Sequence, residues 1–139
     1  MPANTQFSIA VHLLIALGFE CGQHLTSSEL AASINTSPSF VRRIMAKLSK
    51  AGLVSTRMGK AGSCLLAKKP EDISLLEIYQ AVDASPAFAI HYYPVQKSCR
   101  VSCNIEETMN KVLAKAQHSF EGSLAETNLA AVIAEIKFG

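Results

Sequence analysis

The segment from Ser37 to Gly52 constrains the fold of this 139-residue chain more than any other. It opens on Ser37, a residue type suited to cap a helix. Pro38 follows in the first-turn position, where its missing N–H costs nothing. It closes on Gly52, which is suited to the left-handed backbone that ends helices. Between them Phe40, Val41, Ile44 and Leu48 recur at helical spacing and define an inner face. Ser39, Arg42, Arg43, Lys47 and Lys50, at offsets 0, +3, +4, +8 and +11, form a second face of one hydroxyl and four cations. Such a helix packs one side on a core and turns the other outward.

The flanking sequence supplies the core. Gln6 to Glu20 carries Phe7, Ala10, Val11, Leu14 and Leu17 on one stripe and Ile9, Leu13 and Ala16 on another. A helix apolar on two faces is covered on both, by its own domain and by a second subunit. Thr26 and Glu29 form a capping box for a short helix with Leu30, Ala31 and Ile34 inside, and Asn35-Thr36 is a turn. Leu53–Arg57 and Ser63–Ala67 read as two short strands around the glycine-rich tip Met58–Gly62, and Pro70 ends the hairpin. Ser74 and Glu77 form a second capping box, opening a helix through about Val82. Residues 83–103 are irregular. Asn104 is expected to cap a long helix with Glu106 and Glu107 near its start, and Leu129, Val132, Ile133 and Ile136 mark a final helix.

The expected fold is therefore mainly α: a winged helix-turn-helix with a two-stranded wing and a long C-terminal dimerisation helix. The expected division is a DNA-binding part at 1–82, a cysteine-containing loop at 83–103, and the long and terminal helices at 104–139, compact with the first helix. The length corresponds to one domain that folds without disulfides or metal. The longest apolar run, Ile9–Phe19, is interrupted by His12 and is too short to span a membrane. Without a preceding Lys or Arg it is no signal peptide either. A cytoplasmic location with no membrane partner is expected.

Charge separates the two halves. Residues 1–70 hold eight Lys or Arg against two acids, whereas residues 71–139 hold five against nine. A basic half suits a polyanion. On the third helix, Ser37, Ser39, Arg42 and Arg43 lie toward the N-terminal end that meets base edges in helix-turn-helix docking, with one arginine expected to read sequence. Lys47 and Lys50 lie further along, where contact with phosphate is expected of Lys47 and a solvated face is the favoured reading of Lys50. Arg57 and Lys60 on the wing are expected to reach the backbone or minor groove. Double-stranded DNA is the expected partner.

Four stretches carry a resemblance. Ser37-Pro38-Ser39-Phe40-Val41-Arg42-Arg43-Ile44, Lys50–Val54, Gly59-Lys60-Ala61-Gly62-Ser63 and Asp72–Ile78 resemble the Rrf2 family of bacterial transcriptional regulators. The later cysteine loop, long helix and Asn128–Val132 extend the likeness over nearly the whole chain. The resemblance implies a homodimeric regulator, a repressor in the favoured reading, with each winged helix on half of an inverted repeat and the long helix at the interface. Leu14, Ile105, Met109, Val112, Ala116 and Phe120 are the expected interface residues.

Many Rrf2 regulators hold an iron–sulfur cluster through three cysteines in the loop before the long helix, whereas this chain has only Cys99 and Cys103 there. No cofactor is expected, and a cluster is disfavoured. The pair is open to three readings: packing, a thiol switch, or partial ligation of a metal or cluster. A thiol- or metal-responsive regulator and a protein-interaction module without DNA binding are the rival functions. No phosphate loop, paired metal-ligand motif or nucleophile with a base is present, so neither an enzyme nor a small-molecule substrate is expected.

Overall fold

The computed structural model describes residues 5–19, 25–56, 63–82 and 85–136. Helix α1 spans Gln6–Phe19, α2 Ser27–Ile34 and α3 Pro38–Lys50. Strands β1 (Val54–Thr56) and β2 (Cys64–Leu66) follow, then α4 (Leu75–Ala81), α5 (Arg100–Glu126) and α6 (Leu129–Glu135). Local chemistry sets most of these boundaries. Thr26 Oγ1 accepts from the Glu29 amide at 3.1 Å, and the Glu29 carboxylate accepts from the Thr26 amide at 3.3 Å, completing the capping box. Asn35 (φ 69°) and Gly52 (φ 79°) take the left-handed backbone that ends α2 and turns the chain out of α3.

The strands pair antiparallel, with Val54 opposite Leu66 and Thr56 opposite Cys64. Leu25 adds a bridge on the other side of β2, exchanging backbone bonds of 2.8 and 3.2 Å with Cys64. Ala10, Leu13, Leu14 and Leu17 of α1 meet Leu30 of α2, Val41, Ile44 and Leu48 of α3, Ile78 of α4 and Leu129 of α6 in one core. Gly18 allows α1 to lie close to α6, since a β-carbon there would stand 2.9 Å from Ile133 Cδ1.

Three expectations need correction. Helix α5 begins at Arg100, not after Asn104. Cys99 is its N-cap, its Sγ accepting from the Ser102 amide at 3.4 Å, so the irregular segment ends earlier than residue 103. Gln96 reinforces the start by donating its amide to Ser102 Oγ at 2.8 Å. Glu106 and Glu107 therefore lie beyond the first turn, while Asn104 donates its side-chain amide to the Arg100 carbonyl from within the helix. Second, Ser74 caps α4 through the Glu77 amide, but the Glu77 carboxylate does not return the bond; it pairs with Lys68 at 3.0 Å. Third, Leu14 is fully buried in the chain's own core and presents no side chain to a second subunit.

No residue of α5 is buried, although it runs for 27 residues. Its main anchor is Tyr79 of α4, whose ring meets Phe7 of α1 and Phe120 of α5 edge-on, with centroids 5.9 and 5.4 Å away. Gln117 donates to the Tyr79 hydroxyl at 2.9 Å and accepts from the Ala87 amide at 3.0 Å; Tyr79 donates to the Ser85 carbonyl at 2.7 Å. One aromatic residue thus joins α1, α4, α5 and the loop.

Candidate nucleic-acid interface

Helix α3 has the division its spacing predicts. Val41, Ile44, Met45 and Leu48 are buried, while Ser39, Arg42, Arg43 and Lys50 are exposed. At about 100° per residue, Ser39, Arg43 and Lys50 point away from the core, and Arg42 lies on the flank. Ser37 performs the capping role, its Oγ accepting from the Phe40 amide at 3.3 Å. The same oxygen lies 3.3 Å from Ser39 Oγ, so the two hydroxyls form a pair at the N-terminus of α3.

The cations are not equivalent. Arg43 holds its guanidinium carbon 5.2 Å from the centroid of the Phe40 ring. Lys47 is half-buried and donates to Gln6 Oε1 of α1 at 2.9 Å, so its amine is engaged inside the chain. The Phe40–Arg43 contact was detectable as a spacing of three on one helix. The Lys47–Gln6 bond joins residues 41 apart and has no local signature. Arg57 and Lys60, expected at the wing tip, lie outside the described residues; the strands that carry the wing are in place.

The interface expectations fall on one helix apart from Leu14. Ile105 and Met109 are half-buried, Ala116 is exposed, and Val112 and Phe120 are 54% and 38% exposed. A second apolar opening, a groove of about 760 Å³, runs along α1 between α2 and α6, lined by Phe7, Val11, Ile15, Phe19, Val132 and Ile136. His12 crosses toward its rim with Nε2 2.9 Å from Ser33 Oγ.

Residues 3–135 match the Rrf2 family, described as iron-dependent transcriptional regulators. This chain belongs to the Rrf2 family. It is 37% identical to YwnA of Bacillus subtilis (strain 168), named as an HTH-type transcriptional regulator, over 91% of this chain and 92% of that one. A solved structure described as a DNA-binding protein superimposes with a TM-score of 0.73 at 31% identity, covering 92% of this chain and 98% of the other. A transcriptional regulator from Lactobacillus plantarum gives 0.80 at 25% identity, covering 94% and 89%. The family is one of transcriptional regulators, not of enzymes. No helix among the described residues is long and apolar enough to cross a membrane.

The family's iron dependence raises the question of ligands. Cys99 and Cys103 are exposed at the start of α5, where Cys103 Sγ lies 3.6 Å from the Lys97 carbonyl. Among the described residues no three His, Cys, Asp or Glu side chains come together as a metal-holding group. Cys64 lies in the core on β2, where burial pushes its thiol pKa up. Cys21 lies outside the described residues. Two thiols, one of them already a helix cap, are not a complete iron–sulfur donor set.

Proposed function

We propose that this Rrf2 protein acts as a homodimer, binding an inverted-repeat operator with one α3 in each of two successive major grooves and repressing transcription by occupying the site. The observation that carries this reading is the outward face of α3, where Ser39, Arg42, Arg43 and Lys50 stand exposed opposite four buried apolar residues. A major groove admits one α-helix, and arginine forks match guanine O6 and N7. The hairpin follows α3 directly, which suits a wing that reaches the flanking backbone through Arg57 and Lys60. In this reading residues 1–82, which include the basic first seventy, serve DNA, and the long helix serves assembly.

The second subunit answers the packing of α5. A helix about 40 Å long with no buried residue lacks the apolar cover that stabilises helices in proteins. Its open side chains include Val101, Val112 and Phe120, with Ile105 and Met109 half-covered. The α1 groove continues this surface, because Phe7 at the groove and Phe120 on α5 meet the same Tyr79 ring. One copy of the chain covering both faces accounts for both openings.

Hydroxyl-radical footprinting of the intact protein on DNA upstream of its own gene tests this reading. Two protected patches with centres about 34 Å apart are expected for a symmetric dimer. Absence of protection on DNA that the protein retains in a pull-down, or one isolated patch, contradicts it. Thiol-responsive control of the same regulator is a second reading, favoured by the exposure of Cys99 and Cys103 at the start of the helix assigned to dimerisation. In that reading, Cys99→Ser or Cys103→Ser keeps basal DNA binding and removes its response to diamide.

A further inference from the structure

Of the side chains on the outward face of α3, we propose that Arg43 is the one that reads guanine, and that Phe40 is the positioning residue that aims it. This rests on the DNA-binding reading above and assigns its base contact to one residue. The competitors are eliminated by their own bonds and directions. Ser37 Oγ is used as the cap, accepting from the Phe40 amide. Lys47 is bound to Gln6. Lys50 lies in the last turn of α3, two turns beyond the N-terminal part that meets base edges. Arg42 and Arg43 remain as guanidinium readers.

Direction and support separate those two. Taking the midline of Val41, Ile44, Met45 and Leu48 as the inner face, Arg43 projects about 150° from it and Arg42 about 110°. Arg43 therefore faces the floor of a groove occupied by α3, while Arg42 faces its wall, where the phosphates are. Arg43 is also the one with a platform. Phe40 packs partly against the core, which fixes its ring, and the Arg43 guanidinium sits over that ring at 5.2 Å. A cation over an aromatic face keeps its N–H groups available for hydrogen bonding. Holding the fork before DNA arrives reduces the ordering cost of a bidentate contact.

The test starts from selection of bound duplexes from a random pool with the full-length protein, followed by anisotropy titrations on the enriched duplex and on variants at each guanine. One guanine per half-site is expected to lose roughly 10- to 100-fold in affinity when replaced. Arg43→Lys keeps the charge and is expected to erase that preference while retaining binding to the other variants. Arg42→Lys is expected to leave the preference in place. Phe40→Leu keeps an apolar core contact but removes the platform, and is expected to reduce the guanine preference severalfold in a variant that remains folded at the assay temperature; Phe40→Tyr restores it. Retention of the preference in Arg43→Lys, or its loss in Arg42→Lys, overturns the assignment while leaving DNA binding intact. Equal preference in Phe40→Leu and wild type overturns the positioning role. Failure of the wild type to enrich any sequence overturns the DNA-binding reading along with the assignment.

Discussion

Lys47 of α3 and Gln6 of α1 are bonded across the base of the helix-turn-helix, Nζ to Oε1 at 2.9 Å. A cation of the helix proposed to read DNA is thereby engaged in tying α3 to α1. The expected consequence is that Lys47→Met lowers stability, by about 1 kcal/mol for a lost hydrogen bond, with little effect on the salt dependence of DNA binding. Arg42→Met is expected to do the reverse, lowering the slope of log K against log salt by about 1 per protomer without a stability loss. Urea denaturation and salt titration of both variants separate the two roles.

The caps of α2 and α4 differ in one bond. Thr26 and Glu29 exchange hydrogen bonds in both directions, whereas Ser74 receives one from Glu77 and the Glu77 carboxylate is taken by Lys68. Thr26→Ala is expected to cost more than Ser74→Ala, with both near about 1 kcal/mol. Denaturant midpoints at constant m-value check the order.

The local grammar of the first seventy residues was legible for physical reasons. Ser37-Pro38, Asn35 and Gly52 act through their own backbone and side chains, so their positions declare helix starts and ends without help from tertiary structure. The start of α5 was hidden because asparagine is the stronger capping type, yet Asn104 lies inside the helix while the Cys99 thiol takes the cap beside the Gln96–Ser102 bond. Periodicity shows that α1 is apolar on two sides but does not say which side its own chain covers, so it does not reveal that Leu14 lies in the chain's own core. The outward face of α3 was legible in composition; the separate fates of Lys47 and Arg43 depend on Gln6 and on a ring contact that composition does not carry.

Tyr79 is expected to act as the joint between α5 and the rest of the chain. Tyr79→Phe keeps both edge-on ring contacts and removes the hydroxyl bonded to Gln117 and Ser85. The fold is expected to survive with a loss of about 1–2 kcal/mol, and the Ala87 amide, held by Gln117, is expected to exchange faster with deuterium. Unchanged protection at Ala87 would show that the hydroxyl does not hold this segment.

Cys64 is expected to make stability sensitive to alkaline pH. Burial raises its thiol pKa above the ordinary 9.0 in the folded state, so the unfolded chain ionises first. Its contribution is complete below about pH 9 and is lost as pH rises toward and through the higher folded value. Wild type is expected to lose more stability between pH 8 and about pH 10 than Cys64→Ala, which starts lower because a buried side chain is shortened. In alkylation followed by peptide mass spectrometry, Cys99 and Cys103 are expected to react in the native state and Cys64 only after unfolding.

Val112 stands 54% exposed on a helix face assigned to the second subunit. Val112→Glu is expected to shift the protein from dimer to monomer in analytical ultracentrifugation, because a carboxylate would be buried without a partner. A dimer of unchanged affinity would remove this face of α5 from the interface.

The most direct test of the central claim is anisotropy of the intact protein on the duplex it enriches most strongly from a random pool, against the same bases shuffled, over a salt series. With about eight phosphates neutralised by a dimer, the slope of log K against log salt is expected near −7, with the shuffled duplex at least 10³-fold weaker at physiological salt. A response flat in salt, or equal binding of the two duplexes, would contradict the assignment of α3 as a sequence-reading helix.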